Sequence, residues 1–71
     1  MEYTVVAQKQ YRDQEIKTYK SFDEVIDYLT NGLDQWVVSV DVRKWSKDNR
    51  LLSEIHVCMG NFAQVLTMKR M

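Results

Sequence analysis

The order of apolar and polar residues predicts five β-strands. In each of five segments, β-branched and aromatic residues either alternate with polar ones or follow one another. Turn-forming residues such as Asn31-Gly32 and Gly60-Asn61 separate the segments. The predicted strands span residues 3–10, 14–20, 35–45, 51–59 and 62–70.

A sixth segment, residues 22–31, has the spacing of a helix. Its apolar residues recur at i, i+3, i+4 and i+7, which places them on one face. Ser21 is a good N-cap, and Glu24 three positions later completes a capping box. Asn31-Gly32 is expected to end the helix, because both residues tolerate the left-handed conformation. The apolar stripe consists of Phe22, Val25, Ile26 and Leu29.

The element order β-β-α-β-β-β predicts a single α+β domain over residues 1–71. Its sheet would be five-stranded and mainly antiparallel, with the helix on one face. The first strand pairs with either the third or the fifth, and the sequence favours neither. A right-handed crossover is expected through the helix if the second and third strands are parallel.

Two-residue turns at Asp48-Asn49 and Gly60-Asn61 would bring the last three strands into one register. A slip of one residue would send every side chain to the wrong face. The first turn matches apolar with apolar and acidic with basic residues: Val38–Met59, Val40–Val57, Val42–Ile55, Ser39–Cys58, Asp41–His56, Arg43–Glu54 and Trp45–Leu52. The second turn continues the apolar face with Met59–Phe62, Ile55–Leu66 and Ser53–Met68.

The first hairpin is less well defined. A loop at Arg12-Asp13 would set Ala7 against Thr18 but Lys9 against Ile16, so a longer or bulged loop remains an alternative.

The helix is expected to cover one face of the sheet. That face carries Val5, Ile16, Trp36, Val38, Val40, Val42, Ile55, Val57, Leu66 and Met68.

The second sheet face is predicted to be apolar for a surface exposed to solvent. It holds Val6, Tyr19 and Cys58 among polar residues. A patch of this kind is typical of a partner or dimer interface, although scattered exposed apolar residues are also normal. The residues predicted to form the interface are Val37, Trp45, Leu52, His56 and Val65.

Composition narrows the range of functions that the chain could have. The chain has 71 residues, a net charge of zero and one cysteine, Cys58. Charge balance argues against binding of nucleic acid or acidic membranes by bulk charge, and a domain this small has little room for a catalytic cleft. No apolar run approaches a membrane span, no signal peptide is seen, and a lone cysteine suits a reducing compartment. A cytoplasmic protein without cofactor, metal or membrane contact is expected.

The charges are nevertheless segregated. The outer side of the helix and the residue Asp34 after it form an acidic strip (Asp23, Glu24, Asp27 and Asp34). The end of the third strand and the turn after it form a basic hairpin (Arg43, Lys44, Trp45, Lys47 and Arg50). The strip could dock a basic surface, and the hairpin could bind nucleic acid by clamping phosphates and stacking a base on its indole. For both patterns the sequence favours the simpler explanation, which is an ordinary solvated helix face and a soluble hairpin tip.

His56 and Cys58 do not indicate catalysis. They are two positions apart on one strand face, nearly 7 Å by the rise of about 3.3–3.4 Å per residue. That separation is too long for the hydrogen bond that activates a thiol, and one Cys with one His is too few for a zinc site. The cross-strand neighbour Asp41 is expected to pair with His56.

Small size, an apolar second face and segregated charges predict a non-enzymatic interaction protein. A regulator or inhibitor that binds another protein or itself, as a homodimer, fits best, and such chains are common among accessory proteins of phages and mobile elements. The alternative is a nucleic-acid-binding module that uses the basic hairpin.

Overall fold

The structure, a computed structural model, describes residues 2–58. The predicted fifth strand at 62–70, the turn Gly60-Asn61, Val65 and all predicted pairs with Met59 or later residues lie outside this range. The strands are β1 (Glu2–Lys9), β2 (Glu15–Tyr19), β3 (Val37–Trp45) and β4 (Leu51–Cys58). One helix, α1 (Phe22–Asp27), continues into a wider π-helical turn (Tyr28–Gly32). The α+β class is confirmed, with four strands rather than five in the described range.

The four strands form one sheet in the order β2-β1-β3-β4, and all neighbours are antiparallel. β1 therefore lies between β2 and β3, which decides the alternative left open by the sequence in favour of the third strand. Because β2 and β3 both run opposite to β1, they are parallel to each other. The helix forms part of the connection between them.

The predicted β3–β4 register is confirmed over its central pairs, among them Val40–Val57 and Val42–Ile55. The turn differs from the prediction, because the loop has three residues, Lys47–Asn49, and ends with Asn49 at φ 61°. A shift in the register near Trp45 compensates for the additional residue, so Trp45 lies opposite Leu51 rather than Leu52. The two irregularities cancel and restore the predicted pairing.

A bulge at Val38 corrects two predictions about the faces of β3. Gln8 lies opposite Ser39, but Lys9 lies opposite Val37, which leaves Val38 without a partner in β1. Val37 therefore packs in the core at 3% exposure, and Val38 is 46% exposed. Strict alternation had predicted the reverse, because it has no place for an inserted residue.

The first hairpin reverses the predicted faces of β2. Ala7 lies opposite Glu15, not Thr18, which is a shift of three positions. An odd shift moves every side chain of a strand to the other face. Ile16 is therefore 58% exposed instead of buried, and Tyr19 packs against the core. The loop spans residues 10–14 and contains Tyr11 at φ 62°.

The core lies between the helical segment and the centre of the sheet. Burying each aliphatic side chain there contributes about 1.5–3 kcal/mol. The helical segment contributes Val25, Tyr28 and Leu29. The strands contribute Tyr3, Val5, Ala7, Val37, Val40, Val42 and Val57.

The start of the helix is as predicted, and the helical segment ends at Gly32 as expected, but without the left-handed conformation. The Ser21 hydroxyl accepts from the Glu24 amide at 3.3 Å, and the Glu24 carboxylate accepts from the Ser21 amide, which completes the capping box. Neither Asn31 nor Gly32 adopts a positive φ at the other end. Glycine is required there for a different reason, because a Cβ on Gly32 would lie 2.7 Å from Cδ1 of Tyr28.

A lysine substitution is expected to affect stability very differently on the two faces of β3. Val40→Lys places a charge in the core, which costs several kcal/mol, so we expect loss of the cooperative urea transition. Ser39→Lys adds the same group to the face opposite the helix and should lower the free energy of unfolding by less than about 1 kcal/mol. An unfolded Ser39→Lys together with a folded Val40→Lys would contradict the assignment of the two faces.

Candidate interaction surfaces

The sheet face opposite α1, called the open face below, is the first candidate surface. The pairing of the strands places fourteen side chains on it, and no described helix covers them. They are Glu2, Thr4, Val6, Gln8, Ile16, Thr18, Ser39, Asp41, Arg43, Trp45, Leu51, Glu54, His56 and Cys58. Val6 is nevertheless buried among its neighbours, at 7% exposure.

Polar side chains of the open face bind one another across the strands. Asp41 Oδ1 lies 2.5 Å from His56 Nδ1, and the Arg43 Nε–H donates to Glu54 Oε1 at 3.1 Å. These are the cross-strand pairs that the register predicted. Polar groups that already have partners lose less when another surface covers them, because fewer donors and acceptors are left unsatisfied.

The indole of Trp45 lies flat enough on the open face to reach the neighbouring strand. Its Nε1–H donates to Thr4 Oγ1 of β1 at 3.0 Å, and the side chain is half-buried. Trp45 and Thr4 also line a shallow depression with Thr18 and Asn49. Tryptophan in this setting offers a large apolar surface whose single donor is satisfied.

The structure places the five predicted interface residues in different environments. Trp45 and His56 lie on the open face, whereas Val37 is in the core. Leu52 is half-exposed at the register shift of β4, and Val65 lies outside the described residues. The sequence did not predict that Ile16 and Thr18 lie on the open face. The length of the loop at residues 10–14 decides which side chains of β2 point to which face.

The predicted acidic strip is divided by the structure. Asp23 and Asp27 are exposed on α1, and together with Glu24 they line a shallow groove beside Tyr19 and Tyr28. Two of the three carboxylates have local partners: Glu24 in the capping box and Asp27 with the Asn31 side-chain amide at 3.0 Å.

Asp34, the fourth predicted member of the strip, belongs instead to an ion cluster at one end of the sheet. Lys9 Nζ lies 2.7 Å from both Asp34 Oδ2 and Glu15 Oε2, and Lys17 Nζ lies 3.1 Å from Glu15 Oε1. The Lys9 ammonium holds the pKa of Asp34 and of Glu15 below the ordinary carboxyl range. The hydrogen bonds to Asp34 and Glu15 raise the pKa of Lys9 in turn. The cluster joins the first hairpin to the segment before β3.

The basic hairpin does not form one surface. Arg43 and Trp45 project to the open face, whereas Lys44 is 3% exposed and belongs to the opposite face, between Tyr3 and Ser53 in the register. Arg43, Lys44 and Trp45 are consecutive on β3, so their side chains alternate between the two faces. Lys47 and Arg50 remain exposed at the tip of the hairpin.

The residues around His56 show no arrangement for metal chemistry. Cys58 is an exposed free thiol on the same face. Within residues 2–58, no three His, Cys, Asp or Glu side chains lie together in a way that would hold a metal ion. No described helix has the length and apolar character needed to cross a membrane.

Comparisons of the chain with protein-family models, with curated proteins and with solved structures find no match. The surfaces themselves are therefore the only basis for a functional proposal.

The ion cluster predicts a specific response to acid. Both carboxyl pKa values are lowered in the folded state, so the stabilisation is complete above their unfolded values near 4 and is lost as the pH falls through the lowered values. Lys9→Met should lower the free energy of unfolding at pH 7 and reduce its fall between pH 7 and about pH 2. Urea unfolding at both pH values measures this.

Lys47→Met is the matched control, because Lys47 is exposed at the hairpin tip, far from the cluster in the sheet. It should leave the pH dependence as it is in the unsubstituted protein. Equal effects of the two substitutions would show that the cluster contributes nothing beyond general charge.

Proposed function

We propose that the protein is a small non-enzymatic interaction protein, a regulator or inhibitor, whose open face binds another polypeptide. That polypeptide is either a different protein or a second copy of the chain. The observation that carries the proposal is the open face itself, which no described helix covers, whereas α1 and the π-helical turn pack on the other face of the same sheet.

The composition of the open face supports binding of a protein. Tryptophan and arginine are enriched in the parts of interfaces that contribute most of the binding energy, and Trp45 and Arg43 are neighbours on this face. Ile16 adds an exposed aliphatic side chain. The cross-strand pairs Asp41–His56 and Arg43–Glu54 would add polar groups that are already paired with each other.

The acidic outer side of α1 is proposed as a second, weaker contact. Asp23, Glu24 and Asp27 lie on the opposite side of the molecule from the open face, so a partner with a basic extension would have to reach around the domain. Exposed charges of this kind affect the rate of association and its salt dependence more than the affinity.

Nucleic-acid binding through the basic hairpin remains the second candidate function. Fewer of its basic residues are available to bind phosphate than the sequence indicated. Lys44 is buried and Arg43 is paired with Glu54, which leaves Lys47 and Arg50 as the exposed cations of the hairpin tip. Two phosphate contacts would give weak binding with a shallow dependence on salt.

Ser39→Lys tests the proposed function, because it adds a long charged side chain to the open face, between Gln8 of β1 and Cys58 of β4. The unsubstituted protein and the variant are each compared by sedimentation velocity and by affinity capture from a lysate of the source cells. We expect at least one species, a captured protein or a dimer, to lose tenfold or more of its affinity on Ser39→Lys. A factor of ten corresponds to about 1.4 kcal/mol.

Gln35→Lys is the matched control, since it adds the same charge at an exposed position before β3, away from the open face. It should retain every interaction of the unsubstituted protein. The proposal would be wrong if Ser39→Lys and Gln35→Lys bound the same species equally, or if the unsubstituted protein stayed monomeric and captured nothing.

A further inference from the structure

The outer edge of β2 is a second surface, distinct from the open face. β2 is the edge strand of the sheet, with β1 on one side and no described strand on the other. An edge strand presents backbone N–H and C=O groups that can pair with another strand. Ile16, the second residue of this five-residue strand, is 58% exposed.

The residues of β2 are complementary to a second copy of themselves. In an antiparallel pair of identical strands related by a two-fold axis normal to the sheet, opposite residues share a face, so one residue must lie opposite itself. A pair centred on Ile16 sets Ile16 against Ile16 and places Glu15 opposite Lys17 twice. Opposite charges directly across an antiparallel pair are stabilising.

The neighbouring registers are less favourable. A pair centred on Lys17 would place two ammonium groups directly opposite each other, which is destabilising. A pair centred on Thr18 would set Ile16 against Lys20 and Lys17 against Tyr19, with no apolar or oppositely charged match. Of these three registers, the pair centred on Ile16 is therefore the most favourable.

The charged side chains of this edge remain accessible to a second copy. Glu15 and Lys17 already approach each other at 3.1 Å within one chain, yet their side chains are 36% and 44% exposed. Lys17 Nζ also lies 4.9 Å from the centre of the Tyr28 ring, which holds its side chain on the helix side of the sheet. A partner's Glu15 would meet a lysine that is already oriented.

We propose that the protein forms a homodimer through antiparallel pairing of β2 with β2 of a second copy, with Ile16 opposite Ile16. The two sheets then join into one of eight described strands, and the two open faces become adjacent parts of one surface. The proposal rests on the strand edge and not on the open face. Either proposal can therefore be refuted without refuting the other.

Cysteine cross-linking tests both the dimer and its register. Ile16→Cys in a Cys58→Ser background would place two thiols directly opposite each other. The Cα atoms of such pairs are about 4.5–5.5 Å apart, within the range of a disulfide. With copper phenanthroline as the oxidant, we expect more than half of the protein to become a covalent dimer. Dilution into unfolding concentrations of urea before oxidation should abolish the cross-link.

Thr18→Cys in the same background is the matched control. Thr18 is also exposed on the open face of β2, but its two copies would lie four residues apart along the strands, or about 13 Å. It should cross-link at least tenfold more slowly than Ile16→Cys. Faster cross-linking of Thr18→Cys, or slow cross-linking of both variants, would overturn the proposed pairing.

Ile16→Lys provides a test without a new covalent bond. The side chain is exposed in the single chain, so the substitution should leave the circular dichroism spectrum unchanged while placing two charges on the two-fold axis. In sedimentation velocity, the unsubstituted protein should dimerise and the variant should stay monomeric. A variant that dimerises as well as the unsubstituted protein would also refute the proposal. The open-face variant Ser39→Lys should keep the edge dimer, which separates this result from failure of the proposed function.

Discussion

The packing of one short helical segment onto the centre of the sheet is the contact on which the rest of the structure depends. α1 and the following π-helical turn contribute Val25, Tyr28 and Leu29, and these close the core over β1 and β3. A segment of this length can cover only one face of four strands. Burial is therefore concentrated on that face, and the opposite face and the edge of β2 are left to interact with something else.

The fold class, the capping box and the central β3–β4 register could all be predicted, because each depends on local chemistry or on a strong match between neighbours. The pairing of Asp41 with His56 followed from that register and is present. The register was correct even though the turn was not, since the longer loop and the shift near Trp45 cancel. Strong side-chain matching tolerates an error in a turn if a bulge can absorb it.

The faces of β2 and the environment of Val37 could not be predicted in the same way. The faces of β2 depend on whether the loop of residues 10–14 has an odd or an even number of residues. The environment of Val37 depends on whether a residue is inserted in β3, as Val38 is at the bulge. Nothing in the identity of those residues specifies that number. The ion cluster was missed for a related reason, because Lys9, Glu15 and Asp34 are brought together only by the tertiary fold.

The open face and the β2 edge differ in the chemistry that they present. The face provides an indole, an aliphatic side chain and cross-strand polar pairs, whereas the edge provides backbone groups with a self-complementary order of charge. The odd shift in the first hairpin gives both surfaces the same apolar side chain, because it exposes Ile16 on the open face of the edge strand. A dimer formed at the edge would leave the face available and double its extent.

The account therefore depends most on which side chains of β2 and β3 are exposed to solvent. The most direct measurement is the broadening of methyl NMR signals by a soluble, uncharged gadolinium chelate in a dilute sample. The account predicts strong broadening for Ile16 and Val38, and protection for Val37 and Val40. Protection of Ile16 and Val38 together with broadening of Val37 would contradict it.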